Sequence, residues 1–157
     1  RDIGAVSSPF NSWLFIQGLE HLSLRMREHS ANALKLATFL ESHPKVTKVN
    51  YPGLKSNSNY EMGQKYFTGG ACSGLLSFEV ASLEEATKIV NATELYSLVV
   101  NIGDSKSIIT HPASTTHMQL TEDELIACGV PYGLVRISCG LESANDLIAD
   151  MKQALEA

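Results

Sequence analysis

The sequence has no C-x-x-C pair, no basic stripe and no apolar run of the ~18 residues that a bilayer-spanning helix needs. Each absence removes a class of function. The three cysteines, Cys72, Cys128 and Cys139, are odd in number and widely spaced. That spacing fits buried free thiols in a reducing cytoplasm better than a disulfide framework. The twelve Lys and Arg residues are scattered, with only Arg25 and Arg27 close together. With a net charge of −5 and a pI of about 5.5, nucleic acid is not an expected partner. No signal-peptide pattern is apparent, and a membrane is not an expected partner either. Internal repeats and low-complexity stretches are also missing.

What is present is material for one core. The chain has 157 residues, 44% hydrophobic and 18% charged, the size and balance of one globular domain. It begins at Arg1 rather than at a methionine and opens almost at once on a strong helix. Both features lead us to expect that an upstream part is missing.

That first helix is the most unusual segment. Ser8 reads as an N-cap with Pro9 at the first helical position. Helix-compatible residues then run to about Ser42, where His43-Pro44 stops them. More than thirty residues would make a rod about 50 Å long. Only Gly18 interrupts it. Either two shorter helices meet at a kink at Gly18, or one long helix packs its first half on another domain or subunit. The first half is apolar on nearly all sides: Phe10, Trp13, Leu14, Phe15, Ile16, Leu19, Leu22 and Leu24. The second half is amphipathic, with Ala33, Leu36, Ala37 and Leu40 at helical spacing.

Strands are expected at Val46 to Tyr51, Leu75 to Val80, Leu95 to Asn101 and Leu134 to Cys139. A helix is expected around Tyr60 to Tyr66. Capping boxes at Ser82/Glu85 and Thr121/Glu124 open two more, the second ending at Gly129. Ser143 caps a last helix whose face carries Leu147, Ile148, Met151 and Leu155. Gly103 to His117 reads as a long loop. The order predicts a layered α/β or α+β domain.

Chemistry has two places to sit. Arg136 lies inside the otherwise apolar or small strand Leu134-Val135-Arg136-Ile137-Ser138-Cys139. An unpaired buried charge is costly, so this arginine either faces water or meets an anion. In the second case its planar fork suits a carboxylate. The loop Gly103 to His117 is rich in hydroxyls and holds His111 and His117. It is either a plain surface loop or a functional one. The H-x5-H spacing matches no common zinc pattern, so no metal is expected. Cys128 and Cys139 lack a recognisable nucleophile context. His21, His29 and His43 read as solvated or locally hydrogen-bonded.

Several motifs together resemble one family. Gly103-Asp104-Ser105-Lys106-Ser107 with His111-Pro112-Ala113-Ser114-Thr115-Thr116-His117 is similar to a loop of the cystathionine-synthase and methionine γ-lyase family of fold-type-I pyridoxal-phosphate enzymes. Leu134 to Glu142 resembles that family's strand near the C-terminus. Ser8-Pro9-Phe10-Asn11, Gln17-Gly18-Leu19-Glu20, Leu24-Arg25-Met26 and Asn50-Tyr51-Pro52-Gly53-Leu54 are further markers. The likeness covers essentially the whole chain. Within the family, the Gly-Asp-Ser-Lys-Ser loop and Gln119-Leu120 after His117 look most like the O-acetylhomoserine sulfhydrylase branch.

The resemblance implies a single C-terminal domain over residues 1–157. It would hold about four largely antiparallel strands, helices on one face and a long N-terminal helix. Arg136 would hold the substrate α-carboxylate, Ser107 would sit beside the substrate and cofactor, and Thr116 would line the pocket. In such enzymes a large N-terminal domain supplies the Schiff-base lysine and most contacts to the pyridoxal phosphate, and none of those motifs is here. Lys106 is not at the Schiff-base position. The implied consequences are no catalytic or cofactor-binding residue in this piece, no cofactor held by it and no activity on its own. Its partners would be an amino-acid substrate, the large domain and other subunits of a homo-oligomer. The intact enzyme would replace the acetate of O-acetylhomoserine with sulfide or a thiol, giving homocysteine. A γ-lyase or cystathionine γ-synthase of the same family is the alternative, and a stand-alone binding module a more distant one. With its apolar first helix bared, the fragment is expected to self-associate or rearrange.

Overall fold

The computed structural model describes residues 2–157. Its first two helices are α1, Pro9–Glu20, and α2, Leu22–Glu41. Ser8 caps α1 as expected, its hydroxyl accepting the Asn11 N–H at 3.2 Å. The expected single long helix is broken, and at His21 rather than at Gly18. His21 has φ −105° and ψ −1°. Its Nδ1 lies 3.1 Å from the Gln17 carbonyl, the group that a continuous helix would reserve for the His21 N–H. The side chain thus competes with the backbone for one acceptor, and the ladder lapses there. α1 contains no buried residue, whereas α2 buries Ala33, Leu36, Ala37 and Leu40 completely.

The remaining elements are β1 (Lys48–Asn50), α3 (Tyr60–Tyr66), β2 (Leu75–Glu79), α4 (Leu83–Ala92), β3 (Ser97–Leu98), β4 (Ile108–Thr110), α5 (Glu122–Ala127), β5 (Leu134–Ser138) and α6 (Ala144–Glu156). Thr121 and Glu124 form the expected reciprocal capping box. At α4 only half of one forms: Ser82 accepts the Glu85 N–H, but Glu85 turns to the N–H of Ala81. Ser143 stands before α6 without a side-chain cap bond.

The sheet has five strands, not four, in the order β1-β2-β5-β4-β3. β4 is the addition, and it lies inside the stretch expected to be one loop. Its three residues, Ile108, Ile109 and Thr110, are all buried. They pair antiparallel with β5 and parallel with β3, the only parallel pairing among the described residues. Three residues are too few for a period-2 pattern to show. β3 is short because its only neighbour is short: Ser97 and Leu98 pair with Ile108 and Ile109.

Alternation along the central strands separates two faces. Leu76 and Phe78 of β2 and Val135 and Ile137 of β5 join one core with Leu36 and Leu40 of α2, Ile89 of α4, and Leu147, Met151 and Leu155 of α6. Each such side chain stabilises the fold by roughly 1.5–3 kcal/mol. The opposite face carries Asn50, Ser77, Arg136 and Thr110, which are direct cross-strand neighbours in that order. The fold therefore puts Arg136, the only strand arginine among the described residues, in a polar row on the face that α2, α4 and α6 leave uncovered.

Candidate functional site

Arg136 occupies the middle of β5, half-buried. Among the described residues its guanidinium has neither a hydrogen-bond nor an ion-pair partner. It opens into a cleft of about 240 Å³. Asn50 and Ser77 form the floor beside it. Pro52, Leu75, Val130 and Leu134 give an apolar wall, and Pro112 and His117 close the side nearest the former loop. An unpaired guanidinium in a partly apolar cleft is an anion-binding arrangement, because the walls weaken the competition from water.

The row around Arg136 is polar throughout. Asn50 accepts from the Asn57 amide through its side-chain oxygen at 3.1 Å. Thr110 is 1% exposed and its hydroxyl has no hydrogen-bond partner.

Ser107 is not brought to this cleft. It is fully buried and all its polar groups are taken. Its N–H donates to Glu142 Oε1 at 2.7 Å and its hydroxyl to Oε2 at 2.8 Å. The Gly140 N–H donates to the same hydroxyl at 2.7 Å, and the Ser107 carbonyl accepts from Ser97. Gly140 has no room for a side chain here: a Cβ would lie 2.4 Å from both the Ser105 carbonyl and Glu142 Oε2. Ser107 thus fastens the start of β4 to the turn after β5. Thr116 is exposed, and its hydroxyl lies 2.7 Å from His117 Nδ1, so it meets the cleft only through His117.

His111 and His117 are not a metal pair. The His111 Nε2–H donates to the Tyr132 carbonyl at 2.7 Å, and Nδ1 accepts from Ser114 at 2.8 Å. Among the described residues no group of three His, Cys, Asp or Glu could hold a metal ion. His29 departs from expectation. It is buried rather than solvated, its Nδ1–H donates to the Cys139 carbonyl at 2.6 Å, and Nε2 has no partner. That contact is to the backbone, not the thiol, and burial, then the Glu142 charge, push the Cys139 thiol up to about 12. No Cys–His nucleophile is formed. Cys72 and Cys139 are buried as expected, but Cys128 is exposed at the end of α5.

Lys106 is exposed on its turn, where its N–H donates to Asp104 and holds that carboxyl below its usual value. None of the residues lining the cleft is a lysine. The donor set can orient an anion but has no amine with which to bind an aldehyde cofactor. Among the described residues no helix is long and apolar enough to cross a membrane.

Comparison with known proteins bears on this geometry. Residues 1–156 match the family model of the Cys/Met metabolism PLP-dependent enzymes. The chain is 50% identical to an O-acetyl-L-homoserine sulfhydrylase of Leptospira meyeri over 157 residues, covering 99% of this chain and 36% of that protein. It is 46% identical to a homocysteine synthase of Schizosaccharomyces pombe, again covering 99% and 36%. An L-methionine gamma-lyase of Treponema denticola is 42% identical, with 98% and 38% covered. A crystal structure of an O-acetylhomoserine (thiol)-lyase from Campylobacter jejuni, which contains N'-pyridoxyl-lysine-5'-monophosphate, superposes with a TM-score of 0.91. It is 52% identical and covers 100% of this chain and 37% of that one. The chain spans little more than a third of the length of these relatives.

Proposed function

The chain belongs to the Cys/Met metabolism PLP-dependent enzymes, and from that we propose that it is the C-terminal domain of one of them, supplying the substrate-carboxylate side of the active site. The observation that carries this is Arg136: an unpartnered, half-buried guanidinium in the centre of a strand, open to a cleft. It binds the α-carboxylate of an amino acid through two parallel hydrogen bonds and so fixes how the substrate enters. The cofactor and its lysine are assigned to the rest of a longer polypeptide, a reading supported by the chain's spanning little more than a third of its relatives' length. Pyridoxal phosphate supplies the electron sink there. The isolated chain is accordingly inactive and does not retain the cofactor.

The intact enzyme converts O-acetylhomoserine and sulfide, or a small thiol, to homocysteine and acetate. The identities of 50% and 46% to a sulfhydrylase and a homocysteine synthase support that branch. Elimination is the second reading, favoured by the 42% identity to a methionine gamma-lyase. Ser107 acts at the site indirectly, by holding β4 against β5, and Thr116 through His117. The exposed apolar face of α1 seats the large domain or a neighbouring subunit, and the assembly works in the cytoplasm.

The test uses the full-length polypeptide. We expect acetate release from O-acetylhomoserine that depends on sulfide. Thiol-independent formation of a 2-oxo acid and ammonia instead would move the protein to the lyases. Arg136→Ala is expected to lower kcat/KM about 100-fold, the value of one charge-assisted carboxylate contact of about 2.7 kcal/mol. Arg136→Lys recovers part of this, since a point charge lacks the fork. Unchanged kcat/KM in Arg136→Ala would remove the basis for the carboxylate assignment.

A further inference from the structure

We propose that Thr110 is a positioning residue for Arg136: its hydroxyl accepts an N–H of the guanidinium when a substrate carboxylate is bound. This rests on the reading of Arg136 as the carboxylate fork and adds the group that sets the plane of that fork.

Thr110 and Arg136 are directly opposed in the antiparallel pairing of β4 and β5. Opposed residues point to one face with Cβ atoms about 4.5–5.5 Å apart. Ile109 turns the other way, into the core, and is completely buried. The two side chains are complementary and both unmatched. The Thr110 hydroxyl is buried with no partner, while Arg136 has no hydrogen bond or ion pair among the described residues. A guanidinium has five N–H donors, and a bidentate carboxylate uses two. The others need acceptors once the ligand excludes water. On the opposite flank, Ser77 lines the cleft itself and is placed to meet the ligand. Thr110 is the acceptor on the enclosed side.

Thr110 is also held still. Its branched side chain has few rotamers, and the next residue, His111, is pinned at both ring nitrogens. The His111–Tyr132 bond ties the end of β4 to the approach to β5, so the Thr110 hydroxyl is a fixed reference to which a long, flexible arginine adjusts.

Thr110→Val, Thr110→Ala and Thr110→Ser are to be made in the full-length enzyme, alone and with Arg136→Lys, and assayed for KM and kcat alongside Tm. The expected result for Thr110→Val is a KM for O-acetylhomoserine raised about five- to tenfold with kcat within about twofold. Thr110→Ser restores KM. In the Arg136→Lys background Thr110→Val adds nothing, because the two act as one unit. If Thr110→Val lowers Tm, Thr110→Ala is read in its place by the same criteria. Wild-type KM in the hydroxyl-less variants, or a Ser variant as impaired as Val, overturns the proposal. If that happens while Arg136→Ala still loses about 100-fold, the carboxylate reading stands without Thr110. If Arg136→Ala is unaffected, the carboxylate reading itself has failed and the positioning proposal falls with it.

Discussion

The Glu142 carboxylate accepts both the N–H and the hydroxyl of Ser107, and that hydroxyl in turn accepts the Gly140 N–H. Ser107→Ala therefore strands a buried N–H and one carboxylate oxygen. The expected loss is about 1–3 kcal/mol, read as a lower urea midpoint with an unchanged m-value. Asp150 gives a pH-dependent counterpart. Burial raises its carboxyl, but the N–H groups of Glu94 and Leu95 and the Gln153 amide outweigh that and leave it below its usual value. A depressed folded value means that its contribution is complete above about pH 4, the ordinary carboxylate value, and is lost as pH falls through the lower folded one. Asp150→Asn should flatten that acid limb in urea unfolding at stepped pH; an unaltered limb would assign it to other groups. None of these bonds was legible in the sequence. Ser107 and Glu142 are 35 residues apart, and a serine chosen for chemistry looks the same as one used for structure. The place of Arg136 as a lone charge in a strand was legible, because a charge in an apolar strand is anomalous whatever surrounds it.

At the scale of elements, local signals carried furthest. Ser8-Pro9 starts α1, Thr121 and Glu124 start α5, and α3 spans the expected residues, since caps and breakers act within one turn. The failures are non-local or side-chain-specific. β4 exists because β5 and β3 flank it, not because three residues favour a strand. The helix break arises at His21, where an imidazole reaches a carbonyl, and not at the glycine whose weak propensity advertised one. α2 is secured at its middle: besides His29 on the Cys139 carbonyl, the Asn32 amide donates to the carbonyls of Gly140 and Glu142 at 3.0 and 2.9 Å. Asn32→Ala removes the donor from both. The expected cost is about 2 kcal/mol, with faster hydrogen exchange at the amides of Ser138 and Cys139. Exchange confined to α2 would show that the two elements are not coupled.

At the scale of the molecule, the outstanding feature is an apolar surface left exposed among the described residues. Phe10, Trp13, Phe15, Ile16 and Leu19 are each more than half exposed. Exposed apolar helices of this kind associate. The isolated chain should sediment as a concentration-dependent oligomer, and Phe15→Glu with Leu19→Glu should return it to a monomer. A wild-type chain that stays monomeric across the same range, with Trp13 emission blue-shifted, would mean that α1 folds back on its own domain.

The lapse at His21 also separates two mechanical duties. Beyond it, α2 is riveted through His29 and Asn32 to the turn that follows the arginine strand. Before it, α1 is free of any such rivet and takes its heading from whatever surface it meets. Residue 21 is thus a seam: the address of Arg136 is written wholly on one side of it. A graft that exchanges everything up to Glu20 for the corresponding helix of a relative should change which partners the chain accepts while leaving the carboxylate grip proposed for Arg136 as it was.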